Sequence, residues 1–338
     1  MSENYPIDFV VTWVDGNDPV WQAEKAKYSP NKNADNRNVR FRDWDNMQYW
    51  FRAVEKFAPW VNKIHFVTYG HLPKWLNIDN PKLNIAKHSD FIPQKYLPTF
   101  SSQPIELNLH RINGLAERFV YFNDDMFLLR PVKRELFFAG KDCLPTDFAI
   151  TSTISTTTKE DMMPFIKLNC VTILNGHFDK KEQMKKHFSK WVNLAYGWNA
   201  LRNLIFYGQH RFKGFANNHL AFSFLKSEYE DIWEKEYESL DDTSSHKFRS
   251  KLDLDNWLIR YWQLTRGNFY PIGRYKKGKV YEIYNGVEQN QELFKIIEDQ
   301  AMPMICINDN DNVDFEPMKE RIKQAFDKIL PEKSSFEK

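Results

Sequence analysis

Apolar and polar positions along this chain switch between a strand period and a helix period. "IDFVVTWV" (7–14) is an apolar run of strand length, rich in β-branched and aromatic residues. The "DGNDP" after it has turn chemistry, and "VWQAEKAKY" has the length of a short helix. "SPNKNADNRN" is polar and breaker-rich, a loop. In "RFRDWDNMQYWFRAVEKFAPW", Met47, Trp50, Phe51, Val54 and Phe57 recur at helical spacing, Asp43 or Asp45 can cap the start, and Pro59 ends it. "KIHFVTYG" and "LNIAKHSD" read as two further strands. "SSQPIELNLHRINGLAERF" reads as a helix opened by serine and proline, and "FVYFNDDMFLL" as a fourth strand interrupted by two acids. Strands alternating with helices predict an α/β fold with a doubly wound, Rossmann-like and mostly parallel sheet.

From about Pro131 to Lys190 the rhythm is lost. The stretch holds a Ser/Thr run, "TSTISTTT", and a basic helical segment, "DKKEQMKKHFSKW". It reads as an insertion or lid that contacts the acceptor, or as a plain surface excursion. Beyond it the chain is mostly helical. "NNHLAFSFLKSEYEDIWEKEY" starts at an Asn cap and "DNWLIRYWQLTRG" ends at a glycine. "YPIGRYKKGKVYEIY" has the look of a hairpin, "PMICINDNDNVDF" is a strand ending on acids, and "EPMKERIKQAFDKILPEK" is an amphipathic helix. That last helix packs on its own domain, or touches an anionic membrane surface through its lysines. The expected organisation is residues 1–131 as an α/β nucleotide-sugar half, 132–190 as a variable insertion or lid, and 191–338 as a helical part. The final strand of that part completes one composite catalytic domain. There is no internal repeat.

Composition narrows the class. Over 338 residues, 42% apolar and 27% charged residues are the balance of a globular protein. A net charge of +2 is too small for a nucleic-acid footprint. Three separated cysteines, Cys143, Cys170 and Cys306, form neither a CxxC pair nor a disulfide framework, which suits a reducing interior. The N-terminus has no secretory pattern, and no apolar run approaches the roughly 18 residues of a membrane span. A cytoplasmic placement is expected.

Three strand ends share one feature: Asp15 after "FVVTWV", Asp124 and Asp125 after "FVYF", and Asp309 after "MICI" are acids that terminate apolar runs. Ligands of open parallel sheets bind at the carboxyl ends of strands. Acids gathered there suit a hard cation such as Mg²⁺, although each acid alone is an ordinary turn former. Arg40, Arg42, Arg111, Arg118 and Arg249 are candidate phosphate forks, and a solvated face is the ordinary role for Arg118. Arg42 and Asp43 sit at a helix start, which favours anions. His219 falls in the first turn of its expected helix, where the dipole favours a neutral imidazole able to accept a proton. Ser102 and Glu106, four apart, share one helix face. Walker, GxGxxG, HExxH, GxSxG and kinase patterns are all absent.

Read together, these blocks resemble the Stealth family. "IDFVVTWVDGNDPVW" and the run from "RFRDWDN" to "FNDDMFL" are similar to its first two conserved regions. "GFANNHLAFSFL" with "SHKFRSKLDLDNWL" is similar to the third, and "CINDND" to the fourth. The resemblance implies a nucleotide-sugar-transferase, GT-A-like, architecture. It also implies transfer of a whole sugar-1-phosphate from a UDP-sugar to a hydroxyl of a glycan or lipid-linked oligosaccharide, with release of UMP. Peripheral contact with the inner face of the membrane goes with such an acceptor.

Carried over by position, the family's functional residues fall on Asp8, Ser102, Glu106, Asp125, His219, Arg249 and Asp309. Charge spreading over the phosphoryl oxygens has to be neutralised. The expected assignment is Mg²⁺ (Mn²⁺ as substitute) on Asp125, Asp309 and Asp124, a fork from Arg249, and His219 as base with Glu106 competing. Trp13, Asp15 and Gly16 flank the uridine, with Arg42, Asp43, Ser102 and Arg111 also toward the nucleotide sugar. Asp8, inside a buried strand, needs a partner such as Arg42. Two alternatives stay open: a metal-dependent glycosyltransferase releasing UDP, and a non-catalytic glycan-binding module.

Overall fold

The computed structural model describes residues 5–29, 42–156, 158, 161–310 and 312–338. The first strands in chain order are β1 (Ile7–Trp13), β2 (Ile64–Thr68), β3 (Leu83–Lys87), β4 (Arg118–Phe122) and β5 (Met126–Leu128). They are followed by β6 (Phe138–Ala139), β7 (Leu144–Asp147), β8 (Phe222–Leu225), β9 (Tyr270–Pro271), β10 (Gly278–Glu282) and β11 (Met304–Asn308). Among the described residues they form three sheets, ordered β3-β2-β1-β4-β8, β10-β11-β5 and β6-β7-β9. In the first sheet every pairing is parallel except β4 with β8. The mostly parallel α/β expectation therefore holds.

The central strands are apolar on both sides because both faces are covered. On β1, Phe9, Val11 and Trp13 enter one core with the helices Met47–Phe57 and Phe315–Ile329. Val10 enters a second core with the helices Met163–His177 and Asn256–Thr265. The helix Asn256–Thr265 is buried along its whole length. Met163–His177, within the stretch expected as insertion or lid, supplies Ile166, Cys170, Val171 and Leu174 to that second core. Each such side chain contributes on the order of 1.5–3 kcal/mol by leaving water. The C-terminal helix buries Met318, Ile322, Phe326 and Ile329, so its apolar face is spent on its own domain.

Several local expectations are corrected. "FVYFNDDMFLL" is two strands in two different sheets, β4 and β5, with Asn123–Asp125 at the break. The expected hairpin does not form: β9 pairs with β7 and β10 with β11. "NNHLAFSFLKSEYEDIWEKEY" is not one helix, because "FSFL" pairs with β4 and the helix begins only at Lys226. The helix Met47–Phe57 starts at Asn46 with no side-chain cap, so neither Asp43 nor Asp45 caps it. Cys143, Cys170 and Cys306 are free.

Candidate active site

The strand ends converge on a polar cleft of about 860 Å³. β1 delivers Trp13, the β4–β5 break delivers Asn123, Asp124 and Asp125, and the end of β11 delivers Asn308 and Asp309. β11 belongs to another sheet, but its Ile307 N–H donates to the Asp125 carbonyl at 2.8 Å, which locks the two acidic tips side by side. Because β8 runs antiparallel to β4, its beginning lies beside the end of β4, with Tyr121 opposite Phe222. That reversal carries His219 to Asp125, with Nε2 3.5 Å from Oδ2.

On the far wall the helix Ser102–Asn108 presents Ser102 and Glu106. The Tyr121 hydroxyl on β4 donates to Glu106 Oε1 at 3.2 Å. Arg249 reaches in from a loop tied by Asp253, which accepts from the Ser250 N–H at 2.7 Å. Its guanidinium donates to neutral partners, Gln103 Oε1 at 3.3 Å and Ser102 Oγ at 3.2 Å. Among the described residues no carboxylate consumes that charge. Arg42 differs: it binds Asp309 through Nη2 at 2.5 Å and Nε at 3.0 Å, and Trp44 Nε1 adds a third donor at 3.1 Å.

The electrostatics describe a site short of positive charge at its acidic end. Asp124 keeps an exposed edge on the cleft, yet the loss of water around its carboxyl and the charges of Asp125 and Asp43 push it up to about 7. Asp43 is raised by burial and by Asp45 and Asp15. Asp125 Oδ1 is buried with no hydrogen-bond partner. The donor atoms of Asp125, His219 and Cys306 lie within 4.8 Å of one another. Burial holds Cys306 as a thiol, which donates to Asp125 Oδ2 at 3.2 Å. An orphaned carboxylate oxygen beside an acid that its carboxylate neighbours raise fits a divalent cation. Burial alone would depress His219, yet hydrogen bonding to Asp125 and the charges of Asp125 and Glu106 leave it raised. The expected reason for a neutral imidazole, a helix N-terminus, is absent because His219 precedes a strand.

Trp13, Arg42, Asp43, Ser102, Glu106, Asp124, Asp125, His219, Arg249 and Asp309 all line the cleft. Asp15 and Gly16 form the turn beyond Trp13, with the Asp15 N–H donating to His71 at 2.8 Å. Arg111 does not arrive: it donates to Asn108 and lies over the Trp233 ring. Arg118 donates to the Cys143 carbonyl, away from the cleft, and Arg40 lies outside the described residues.

Asp8 is corrected on two counts. It sits at the opposite end of β1, and its partner is not Arg42. Its Oδ1 accepts from Asn62 Nδ2 at 2.7 Å and from the Lys63 N–H at 3.1 Å; its Oδ2 meets His65 Nε2 at 3.0 Å and the Ala116 N–H at 2.8 Å. All its lone pairs serve the fold. Asp309, expected on the metal with Asp125, shares the cleft but gives both oxygens to Arg42.

Sequence reasoning missed Asp255, a buried cap of the helix Asn256–Thr265 pushed up to about 7 by burial and by Glu106. The capping pattern in "LDLDNWL" was its signal. Lys167, over the Trp257 ring, had none.

Comparison with known proteins places this chain in a class. Residues 5–33 match the Stealth protein CR1 model (conserved region 1), and residues 40–144 match CR2 (conserved region 2). Over 100% of both chains the sequence is 42% identical to a capsular polysaccharide phosphotransferase, WcwK, of Streptococcus pneumoniae. It is 38% identical, over 100% of this chain and 98% of the other, to the exopolysaccharide phosphotransferase cps2G of Lactiplantibacillus plantarum. An active-site mutant of LgtC overlaps 94% of this chain and 95% of its own at 9% identity and a TM-score of 0.37, too low a likeness to bear on the site. By these relatives the protein is an enzyme of the phosphotransferase type. The chain belongs to the Stealth family of polysaccharide phosphotransferases.

Proposed function

We propose that this cleft moves a sugar-1-phosphate from a UDP-sugar to a hydroxyl of a growing cell-surface polysaccharide or lipid-linked oligosaccharide. The observation that supports the reading best is the meeting of Asp124 and Asp125, His219 and an unpaired Arg249 around one cavity. The acceptor oxygen attacks the sugar-bearing phosphorus. The bond from that phosphorus to the bridging oxygen breaks, UMP leaves with the bridging oxygen, and a phosphodiester forms. His219 takes the hydroxyl proton, and the negative charge of Asp125 and Glu106 stabilises the imidazolium that results. Glu106, raised by its burial, is the competing base.

Arg249 forks the transferred phosphoryl oxygens, while Asp309 holds Arg42 toward the same anion. Asp125 and Asp124 are the residues that would hold Mg²⁺ or Mn²⁺. The bound ion would neutralise charge on the diphosphate. Trp13 and the Asp15–Gly16 turn flank the base. Nucleotide-sugar chemistry puts the reaction on the cytoplasmic side, at the membrane where the acceptor is lipid-linked.

The test is incubation with a panel of UDP-sugars and a glycan acceptor while the spent nucleotide is identified. UMP is expected. UDP would transfer the reading to a glycosyltransferase, and release of neither would leave a glycan-binding module.

A further inference from the structure

Among the described residues no helix is long and apolar enough to cross a membrane, and the C-terminal helix buries its own apolar face. The molecule nevertheless exposes one dense apolar patch, far from the cleft's acids in sequence. Leu194 is 97% exposed, Trp198 87% and Ile205 76%; Phe188, Leu201 and Leu204 are exposed beside them in sequence. Leu194 lies on a short helical turn that ends at Gly197, and Trp198, Leu201 and Ile205 follow at the cap and along the outward side of the helix Asn199–Ile205, spaced by three and four residues. The outward orientation is built in. Ala200 and Asn203 on the helix Asn199–Ile205 are buried. The Asn203 amide accepts from the Thr151 N–H at 2.8 Å and donates to the Ala149 and Trp191 carbonyls, each at 2.5 Å. A helix pinned this way cannot roll its leucines inward.

Charge selects the occupant. Between Lys180 and Lys213 stand eight Lys and Arg side chains against Glu182 alone, a local +7 in a chain whose total is +2. Lys181, Lys185, Lys186, Arg202, Arg211 and Lys213 are all exposed. A second protein copy would bring the same exposed lysines and arginines against one another. An exposed apolar segment with a tryptophan, flanked in sequence by exposed lysines and arginines, matches an anionic lipid surface: the apolar side chains enter the headgroup boundary and the cations meet phosphates.

We propose that the 188–205 segment docks this protein on an anionic bilayer leaflet. The docking faces the site: Arg202, on the same short helix, lines a polar cavity of about 280 Å³ that shares Lys167 and Asn217 with the main cleft. Chain emerging from the headgroups would meet that side entrance first.

The experiment is sedimentation of the full chain with phosphatidylcholine vesicles containing 30% phosphatidylglycerol and with phosphatidylcholine alone. Light scattering reads the oligomeric state alongside it. Binding to the anionic vesicles is expected, weakened at least tenfold by Trp198→Glu or by Leu194→Glu plus Ile205→Glu, and weakened again by 0.5 M salt. Nucleotide release with a short soluble acceptor should be unchanged in these variants, since none lines the cleft. Binding is read without turnover, so it stands or falls apart from the reaction. Absence of binding to anionic vesicles, or binding indifferent to both sets of substitutions, would overturn the proposal. So would a dimer that these substitutions dissolve while vesicles go unbound.

Discussion

Arg42 holds both carboxylate oxygens of Asp309, 267 residues away, and its guanidinium lies 4.4 Å from the centre of the Phe315 ring. The pair joins the loop before the helix Met47–Phe57 to the end of β11. If Asp309 serves to aim Arg42, the two act as a unit and their losses do not multiply. Arg42→Ala and Asp309→Ala should each lower kcat/KM by about tenfold or more, and the double variant should fall no further than the worse single one. Independent, multiplying effects in a double-mutant cycle would show that Asp309 has a separate task.

Arg249 rests on Ser102 and Gln103, neutral partners that leave its charge for the substrate. Arg249→Lys keeps that charge but loses the planar fork, and lysine cannot make two parallel bonds to a phosphoryl group. A fall in kcat of on the order of 10²-fold, with modest change in KM for the donor, is expected from the loss of one preorganised donor. Steady-state rates within twofold of the parent would remove Arg249 from the transition state.

Asp125 Oδ1 is orphaned in a cluster that already burdens Asp124. Chelation should stop nucleotide release, and Mg²⁺ or Mn²⁺ should restore it. Asp125→Asn should bind the cation more weakly by calorimetry, whatever its activity. Undiminished turnover in excess chelator would exclude the ion.

The legible parts of this molecule were those its local chemistry determines. β1 and β11 are buried on both faces, so they read as near-continuous apolar runs, and the acids at their ends stand out against them. Ser102 and Glu106 could be placed on one face from spacing alone. What failed depended on distant partners. "FSFL" was absorbed into the helix that follows it, because only pairing with β4 makes it a strand. The hairpin was misread because its two arms answer to strands more than a hundred residues apart in one case, β7 with β9, and to β11 in the other. Asp8 misled for a related reason. A buried acid signals a need for partners, and nothing local distinguishes His65, Asn62 and two backbone amides from a guanidinium.

Asp8 therefore carries a stability prediction. Burial would raise its carboxyl, but the hydrogen bonds from His65, Asn62 and Ala116 outweigh it and hold the group below its usual range. A carboxyl lowered on folding stabilises the native state above its unfolded pKa, and that contribution fades as pH falls through the lowered value. Asp8→Ala should cost roughly 3–5 kcal/mol at neutral pH, the scale for breaking a buried charged cluster. The gap to the parent should narrow below about pH 4. Urea unfolding at pH 7 and 3.5 measures it; a gap that widens in acid would reverse the sign.

His88 and His110 set a second pH dependence. Both are buried and pushed down to about 3, His88 by burial and the nearby His71, His110 by burial and by Arg111 and Lys226. Between pH 6.5 and 3 the unfolded chain binds protons at these positions and the native state does not. Each therefore removes up to about 1.4 kcal/mol of stability per pH unit as the medium is acidified. Asp124 and Asp255, raised to about 7, act in the opposite sense over much of that window. The total slope is thus a partial cancellation, and the informative quantity is a difference between variants. His110 stacks on Tyr229 with ring centres 5.6 Å apart, so His110→Phe keeps the aromatic contact while deleting the titration. Its stability relative to the parent should rise steadily from pH 7 to pH 5 in denaturant titrations. A difference that stays flat over those two units would mean that His110 is protonated in the native state, and that its burial is weaker than the packing around it implies.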